Sequence, residues 1–403
     1  MGPGRSRAEV RLGDVSSAHP RTPVYLDNAA TTPLGPRVLE AMRPWLESNH
    51  ANPSTLYGTG VDAREAVDRA RSQVAAAVGA RAADVTFTGG GTEANNMAVL
   101  GLARGARKRG RHVLIGPVEH PCVRMPAEAL VQEGYELEVV EGDGAGALCL
   151  EDLERKLRED TVLVSLMAVI NELGTRQPVA EAARVLRRSG SGAAFHVDAV
   201  QALGKVELDL TELGATSLAI AAHKVHGPKG VGALIRAADT PRPLPLVFGG
   251  GQEDGLRPGT ENVAGIVGLG VAAARSATER TADESRLEEL RSALEKGLDA
   301  LPDWSPLIPR ERSVPGILSL RVGGPPAQVW QHHLEQEGVQ VGLGSACSSR
   351  STALSPAWRA VGLDTTSARQ VLRFSLSAST TDTELSLALE AVARVASRLE
   401  SLV

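Results

Sequence analysis

The chain has 403 residues, with 43 Lys and Arg against 48 Asp and Glu, so its formal net charge is −5. That mild acidity argues against a surface that coats nucleic acid or holds a membrane through a polybasic patch. Hydrophobic residues make up 42% of the chain and charged residues 23%, a balance that excludes global disorder. The length suits one large α/β unit with a smaller companion.

The cysteines and the lack of long apolar runs indicate which cellular compartment to expect. The 3 cysteines are spaced for neither a disulfide framework nor a zinc site, so we expect no metal and a reducing, cytoplasmic compartment. No run of about 18 apolar residues occurs, so no membrane-spanning helix is expected. Cys122 and Cys149 lie in or next to helical patterns, which predicts small buried side chains.

Short apolar runs alternate with helical stretches through the first two thirds of the chain. The predicted strands are Val85–Thr88, His112–Ile115, Tyr135–Val140, Thr161–Val169, Ala194–Val197, Ser217–Ala221 and Val231–Ile235. The stretches between several of them, such as Val123–Glu133 and Val179–Arg188, are predicted to be helices. This alternation predicts an α/β fold, with a mainly parallel seven-stranded sheet covered by helices on both faces.

The alternation ends after about Gly270, where a polar stretch over 274–284 precedes a leucine-rich helix. Two more strands, Ile317–Val322 and Leu372–Leu376, and a final amphipathic helix indicate an α+β segment. Thr381 and Glu384 have the spacing of a capping box at the start of that last helix. We therefore predict a flexible tail over 1–21, a joining segment over 22–34, a large domain over 35–278 and a small C-terminal domain over 279–403.

The glycine-rich segment Gly89-Gly90-Gly91-Thr92-Glu93 lies between a predicted strand and a predicted helix. Backbone N–H groups at a helix N-terminus, which glycine lets a ligand approach closely, favour an anion such as phosphate. A plain turn between strand and helix is the equally weighted alternative. The segment matches neither a P-loop nor a dinucleotide fingerprint, so it does not by itself indicate a nucleotide.

Two charged residues follow buried strands further along the chain. Asp198 ends one strand, where a carboxylate has to be paired, for instance with a protonated ring nitrogen. Lys224 follows another, and desolvation equips a buried lysine to bond covalently to an aldehyde. A helix-capping Asp and a surface Lys are the alternatives for each residue alone. Together with a phosphate site they indicate pyridoxal phosphate (PLP), which needs all three features.

The chain resembles the cysteine desulfurases, fold-type-I PLP enzymes of the class V aminotransferase group. The resemblance covers about residues 22–400 and rests on an ordered series of motifs. They include Tyr25-Leu26-Asp27-Asn28-Ala29-Ala30-Thr31-Thr32-Pro33, Phe87-Thr88-Gly89-Gly90-Gly91-Thr92-Glu93, Glu119-His120, Asn171-Glu172-Leu173-Gly174, His196-Val197-Asp198-Ala199-Val200-Gln201, His223-Lys224-Val225-His226-Gly227-Pro228-Lys229-Gly230, Arg257-Pro258-Gly259-Thr260, Gly344-Ser345-Ala346-Cys347 and Arg373-Phe374-Ser375.

The resemblance implies a role for individual residues. Lys224 would carry PLP covalently, Asp198 would pair with its pyridine nitrogen, and His120 would stack on its ring and transfer protons. Thr260 would act from the neighbouring subunit, which implies a homodimer. The implied cofactor-binding residues are Gly91, Thr92, His120, Asn171, Asp198, Gln201, His223, Lys224 and Thr260. The implied substrate-binding residues are Asn28, Asn171 and Arg373, with Arg373 on the substrate carboxylate.

Cys347 is the implied nucleophile, and its small, polar, glycine-rich surroundings favour a loop. The implied reaction, with Lys224, His120 and Cys347 as catalytic residues, converts L-cysteine to L-alanine and leaves a persulfide on Cys347 for a protein acceptor. The alternatives are a selenocysteine lyase and another class V PLP enzyme, an aminotransferase or epimerase, in which Cys347 is incidental. A non-catalytic protein that kept the fold would not need these residues.

Departures from the family pattern accompany the resemblance. Ala221 stands where relatives usually carry a phosphate-binding Ser, so we expect one hydrogen bond fewer, worth about 1 kcal/mol. Arg350 is unusual in the segment after Cys347 and is expected to be solvated. The chain ends at Val403, where relatives that supply iron–sulfur scaffolds continue with a docking tail. The resemblance thus leaves the acceptor open among iron–sulfur, tRNA, DNA and biosynthetic pathways.

Overall fold

The computed structural model describes residues 23–238, 240–301, 303–343 and 354–400. Three features predicted from the sequence lie outside these ranges: the tail over 1–21, Cys347 and Arg350. Within the ranges, no helix combines the length and the apolar character that crossing a membrane requires.

A seven-stranded sheet forms the larger layer, which confirms the predicted mainly parallel α/β architecture. Its strands are β2 (Val85–Thr88), β3 (His112–Ile115), β4 (Glu136–Val139), β5 (Thr161–Met167), β6 (Ala194–Asp198), β7 (Ser217–Ala221) and β8 (Gly232–Arg236), in the order β2-β8-β7-β6-β5-β3-β4. Only β8 runs antiparallel to its neighbours. Predicted and observed strand ends differ by one or two residues, because hydrophobicity does not mark where ladder hydrogen bonds stop.

Helices cover both faces of this sheet. The helices are α1 (Pro36–Glu47), α2 (Gly58–Ala77), α3 (Gly91–Gly105), α4 (Pro121–Gln132), α5 (Leu150–Lys156), α6 (Val179–Arg188), α7 (Leu210–Leu213) and α8 (Val263–Thr278). Strand β7 shows how the faces divide, because Leu218 and Ile220 join one apolar cluster and Ala219 joins another. The alternation follows from the two-residue period of a strand. Burial on both faces explains why β5 is buried at every residue.

A five-stranded sheet forms the second layer, in the order β1-β11-β12-β10-β9. Its strands are β1 (Val24–Leu26), β9 (Ser305–Pro306), β10 (Ile317–Arg321), β11 (Val339–Leu343) and β12 (Val371–Ser375). The N-terminal strand β1 pairs in parallel with β11, so the start of the described chain belongs to the sheet built from its end. Strands β1, β9 and β11 were not predicted.

The second sheet packs against the remaining helices. They are α9 (Arg280–Leu298), α10 (Ala327–Gln336), α11 (Pro356–Ala360), α12 (Thr365–Ala368) and α13 (Asp382–Glu400). The predicted leucine stripe of α9, including Leu290 and Leu294, is buried against this sheet's core. The capping box of α13 is confirmed, because Thr381 N donates to Glu384 Oε2 (2.8 Å) and Glu384 N donates to Thr381 Oγ1 (3.1 Å).

The polar stretch over 274–284 is helical although it lacks an apolar run. Helix α8 ends at Thr278 and α9 begins at Arg280. Ion pairs one turn apart support the two helices there, between Arg275 and Glu279 (2.7 Å) and between Arg280 and Glu284 (3.2 Å). The domain boundary between residues 278 and 279 stays a prediction.

Candidate active site

A cavity of about 870 Å³ lies at the carboxyl edge of the seven-stranded sheet. Segments that follow β2, β3, β5, β6 and β7 reach it, which is where ligands bind in open α/β sheets. It brings together eight of the predicted site residues: Gly91, Thr92, His120, Asn171, Asp198, Gln201, His223 and Lys224.

The glycine turn leads from β2 into helix α3. Gly90 has a φ of 149°, which L side chains rarely adopt. A Cβ at Gly91 would lie 2.6 Å from Val200 Cγ2, so only glycine lets the turn approach the segment after β6. Glu93 fixes the turn, because its Oε2 accepts from Gly89 N at 2.6 Å. The start of a 15-residue helix thus meets the cavity and favours an anion there.

Asp198, the last residue of β6, is buried and hydrogen-bonded on both oxygens. Val200 N donates to Oδ1 (3.0 Å), and Asn95 Nδ2 donates to Oδ2 (2.9 Å). Burial raises the pKa of Asp198, whereas these hydrogen bonds and the nearby His120 and Lys224 oppose the rise. A cationic group bound against this carboxylate would therefore be strongly favoured.

Lys224 ends a single 3-10 turn, Ala222–Lys224, directly after β7. Its Nζ donates to the carbonyl oxygens of Ala29 (2.6 Å) and Ala30 (2.8 Å). These carbonyls belong to the segment between β1 and α1. The amino group of Lys224 is thus held at the cavity by backbone oxygens of a sequentially remote segment.

His120 faces the cavity from the start of α4, and Cys122 determines its hydrogen bonding. Cys122 N donates to His120 Nδ1 (3.2 Å), and the Cys122 sulfur lies 2.9 Å from the same nitrogen. Because a backbone N–H can only donate, Nδ1 accepts and the proton of the neutral ring is on Nε2. Burial lowers the pKa of His120 and so favours this neutral form.

The predictions for Cys122 and Cys149 have different outcomes. Cys122 is buried as predicted, but it also lines the cavity. Burial, reinforced by the charge of Asp198, holds the pKa of the Cys122 thiol far above its usual range. The prediction for Cys149 is wrong, because this residue is half-buried, precedes α5 and lies 3.3 Å from Glu151 Oε2.

His223 and Gln201 face the cavity with specific hydrogen-bonding states. His223 Nδ1 lies 3.1 Å from Thr31 Oγ1, and burial together with the charge of Lys224 lowers the pKa of His223 to about 4. His223 is therefore neutral at neutral pH. Gln201 Nε2 donates to Ala29 O (2.7 Å), while its buried Oε1 has no partner among the described residues.

Arg373 and Asn28 lie beside the cavity and are not among the residues that line it. Arg373 is buried on β12, where Nη2 pairs with Asp27 Oδ1 (2.7 Å) and Nη1 donates to Asn171 O (2.8 Å). Its Nε has no partner among the described residues. Asn28 Nδ2 donates to Ser375 O (2.8 Å), and its buried Oδ1 is likewise unpartnered within the described ranges.

Two further predicted site residues are Thr260 and Cys347. Thr260 is exposed and does not line the cavity of its own chain. Cys347 lies outside the described residues.

Sequence reasoning missed Asn95, which contacts both Asp198 and Cys122. Asn95 is fully buried in α3, and its Nδ2 lies 2.9 Å from Asp198 Oδ2 and 3.0 Å from the Cys122 sulfur. The available signal was an amide on the otherwise small and apolar face of the helix that follows the glycine turn. A buried side chain of that kind must have polar partners.

Comparisons with known proteins agree with this geometry. The aminotransferase class-V family model matches residues 24–387. A cysteine desulfurase IscS of Dictyoglomus turgidum is 38% identical over 380 residues, which are 94% of this chain and 96% of that protein. Among solved structures, a NifS-like protein superposes with a TM-score of 0.87 at 35% identity, covering 94% of this chain and 100% of that one.

A further solved structure, of SspA in complex with cysteine, superposes with a TM-score of 0.78 at 31% identity, covering 89% of this chain and 99% of that one. The architecture is that of fold-type-I PLP-dependent transferases. The chain belongs to the aminotransferase class-V family and, within it, to the cysteine desulfurases.

Proposed function

We propose that this chain binds PLP in the cavity, removes sulfur from L-cysteine to give L-alanine, and holds the sulfur as a persulfide on Cys347 for a protein acceptor. The observation that carries the proposal is the convergence of Asp198, Lys224 and the glycine turn on one cavity. A cytoplasmic location stays a prediction, and a reducing compartment would keep Cys347 from being lost to a disulfide.

The residues around the cavity fit PLP. Lys224 would bond to its aldehyde, and Asp198 would accept a hydrogen bond from its pyridine nitrogen. Gly91, Thr92 and His223 would hold its phosphate, and Gly91 lacks the Cβ that would push the turn away from Val200. The unpartnered Gln201 Oε1 would face its ring. Ala221 also lines the cavity and offers no hydroxyl to the phosphate.

When bound, PLP supplies an electron sink for the charge that develops at the substrate Cα. Lys224 Nζ would take up and return the proton at Cα. His120, neutral with its proton on Nε2, is able to donate that proton to a reacting atom. Arg373 would bind the substrate carboxylate, a role that the family resemblance implies and that suits a guanidinium.

Sulfur leaves the substrate by attack of the Cys347 thiolate. A bond forms between the Cys347 sulfur and the substrate sulfur, and the carbon–sulfur bond of the substrate breaks. The electron pair of the broken bond stays on the carbon fragment, which takes up protons and leaves as L-alanine. The transferred sulfur remains on Cys347 and is the species delivered to the acceptor.

Replacing the two reactive side chains tests the proposal. We expect Lys224→Ala to lose the yellow colour of covalently bound PLP, and Cys347→Ser to keep the colour but to form no persulfide. Cys149→Ser is the matched control and should keep both. Alanine formation from L-cysteine by Cys347→Ser at the wild-type rate would rule out Cys347 as the nucleophile, and a colourless wild-type protein with added PLP would rule out the cofactor.

We also propose a homodimer in which Thr260 of one subunit contacts PLP of the other. Thr260 is exposed in its own chain, and the large apolar side chains of Leu56 and Phe248 are 86% and 84% exposed. Pro53 and Gly251, each three residues from one of these side chains, line the same cavity. Large exposed apolar side chains favour association.

Light scattering tests the dimer. We expect a mass of twice the 42.2 kDa chain for the wild type. Phe248→Asp should shift the mass toward that of one chain and weaken PLP retention. A wild-type mass of 42.2 kDa at micromolar concentration would overturn the dimer without affecting the proposed reaction.

A further inference from the structure

A continuous chain of buried polar side chains leads away from Asp198 into the protein. Asn95 Nδ2 donates to Asp198 Oδ2 (2.9 Å), Asn95 Oδ1 lies 2.9 Å from His196 Nε2, and His196 Nδ1 lies 2.9 Å from Ser217 Oγ. Asn95, His196 and Ser217 are fully buried. These hydrogen bonds run from α3 to β6 and on to β7, so they link three elements of the fold.

The direction of each hydrogen bond in this chain follows from its two ends. Asp198 accepts, so the Asn95 amide must present its NH₂ group to Asp198 and its oxygen to His196. An amide oxygen also only accepts, so His196 carries its proton on Nε2. His196 Nδ1 is then the acceptor for the Ser217 hydroxyl. Burial lowers the pKa of His196 to about 3, so the ring stays neutral and this arrangement is the same throughout the neutral range.

The Asn95 amide would have two orientations without His196. In the second orientation its oxygen would face the Asp198 carboxylate, where two acceptors repel each other. The proton on His196 Nε2 excludes that orientation. The other hydrogen of the Asn95 amide points to the Cys122 sulfur at 3.0 Å, which also favours the observed orientation.

We propose that Asn95 and His196 are positioning residues that hold Asp198 as an oriented carboxylate for the PLP pyridine nitrogen. The inference deepens the proposed function and rests on it. Asn95 donates to one oxygen of Asp198 and Val200 N to the other, so the carboxylate cannot rotate. Ser217 and His196 supply nothing to the reaction directly, and their effect reaches the cofactor only through Asn95 and Asp198.

Substitution of His196 tests whether this residue positions Asp198 or only stabilises the core. We expect His196→Leu to raise the dissociation constant for PLP about tenfold and to shift the visible absorbance of the bound cofactor, because the Asn95 amide loses the donor that fixes its orientation toward Asp198. His196→Gln, whose amide is able to donate to Asn95 Oδ1, should restore both. Asn95→Leu is a second variant, which removes the donor to Asp198 and should act in the same direction.

His112 provides a matched control on the same sheet. It is also fully buried, and its Nδ1 lies 2.8 Å from a hydroxyl, that of Thr161, but it is at the other end of the strands. His112→Leu should lower the melting temperature as His196→Leu does, with an unchanged PLP dissociation constant and absorbance. If His196→Leu and Asn95→Leu merely match His112→Leu, the positioning role is refuted.

Asp198→Asn distinguishes failure of this inference from failure of the proposed function. If the wild type binds PLP and Asp198→Asn weakens that binding while both positioning variants do not, only the inference fails. If neither the wild type nor Asp198→Asn binds PLP, the proposed function fails as well.

Discussion

At the scale of single residues, the neighbours of an ionisable group determine its charge at the active site. Glu119, next to His120, is fully buried, and its Oε1 accepts from Met167 N at 2.6 Å. Burial, with a further contribution from the charge of Asp198, raises the pKa of Glu119 to about 8. Two adjacent residues, Glu119 and His120, are thus both neutral at neutral pH, although sequence alone suggests a carboxylate beside an imidazole.

Glu119→Gln should change how stability depends on pH. Folded Glu119 keeps its proton up to about pH 8, whereas an unfolded glutamate loses it above pH 4.5. Stability contributed by the protonated carboxyl is therefore present below pH 4.5 and is lost as pH rises to 8. The amide has no proton to lose. As pH rises, the free energy of unfolding of the variant should therefore increase relative to that of wild type by at most about 1.4 kcal/mol per pH unit.

Urea unfolding at several pH values between 5 and 8 measures this difference. Glu128→Gln is the control, because Glu128 is on the adjacent helix α4 with an exposed side chain. Parallel stability curves for Glu119→Gln and wild type would show that Glu119 is ionised in the folded protein.

At the scale of elements, local sequence signals place helix ends well where side chains cap the backbone. Thr381 and Glu384 satisfy each other's backbone N–H groups at the start of α13. The helix packs Leu385, Val392 and Leu399 into the core of the five-stranded sheet. The cap therefore stabilises an element on which the smaller core depends.

Thr381→Ala should lower the free energy of unfolding by about 1 kcal/mol, because an orphan N–H of the first turn loses its acceptor. Urea unfolding monitored by circular dichroism measures the change. Thr381→Ser keeps the hydroxyl and should keep most of the stability. Equal losses for Ala and Ser would mean that the methyl group of Thr381, rather than its cap, is what matters.

At the scale of the whole molecule, the two sheets meet beside the cavity. Arg373 on β12 donates to Asn171 O, which follows β5, and pairs with Asp27 just after β1. Gly342 leaves room for this pair, since a Cβ there would lie 2.5 Å from Asp27 Oδ1. The Arg373 guanidinium thus ties β12 and the segment after β1 to the segment after β5. The same contacts fix the position of this guanidinium, which is the proposed carboxylate-binding group.

Asp27→Asn should lower the free energy of unfolding by about 3 kcal/mol, because it leaves the buried Arg373 cation without its counter-charge. It should also raise KM for L-cysteine more than it lowers kcat, because Arg373 loses its fixed position. The control is Glu47→Gln, which breaks the exposed pair with Arg43 at 3.1 Å and should change stability by less than about 1 kcal/mol. An unchanged KM in Asp27→Asn would separate Asp27 from substrate binding.

Features that depend on neighbours along the chain can be predicted from the amino-acid sequence alone. Strand and helix alternation, the glycine turn, Asp198, Lys224 and the cap at Thr381 all follow from local patterns, because periodicity and turn chemistry act over a few residues. The ordered motifs added the cysteine desulfurase family, which the comparisons confirm.

Which side chains meet, and therefore what charge they carry, depends on long-range packing. Asn95 reaches Asp198 across 103 residues and Arg373 reaches Asp27 across 346, and no local pattern records such contacts. Burial, which sets the pKa of Glu119 and His196, is likewise a property of the assembled core. The sequence thus names the proposed reacting groups, while packing orients those that the structure describes and sets their protonation.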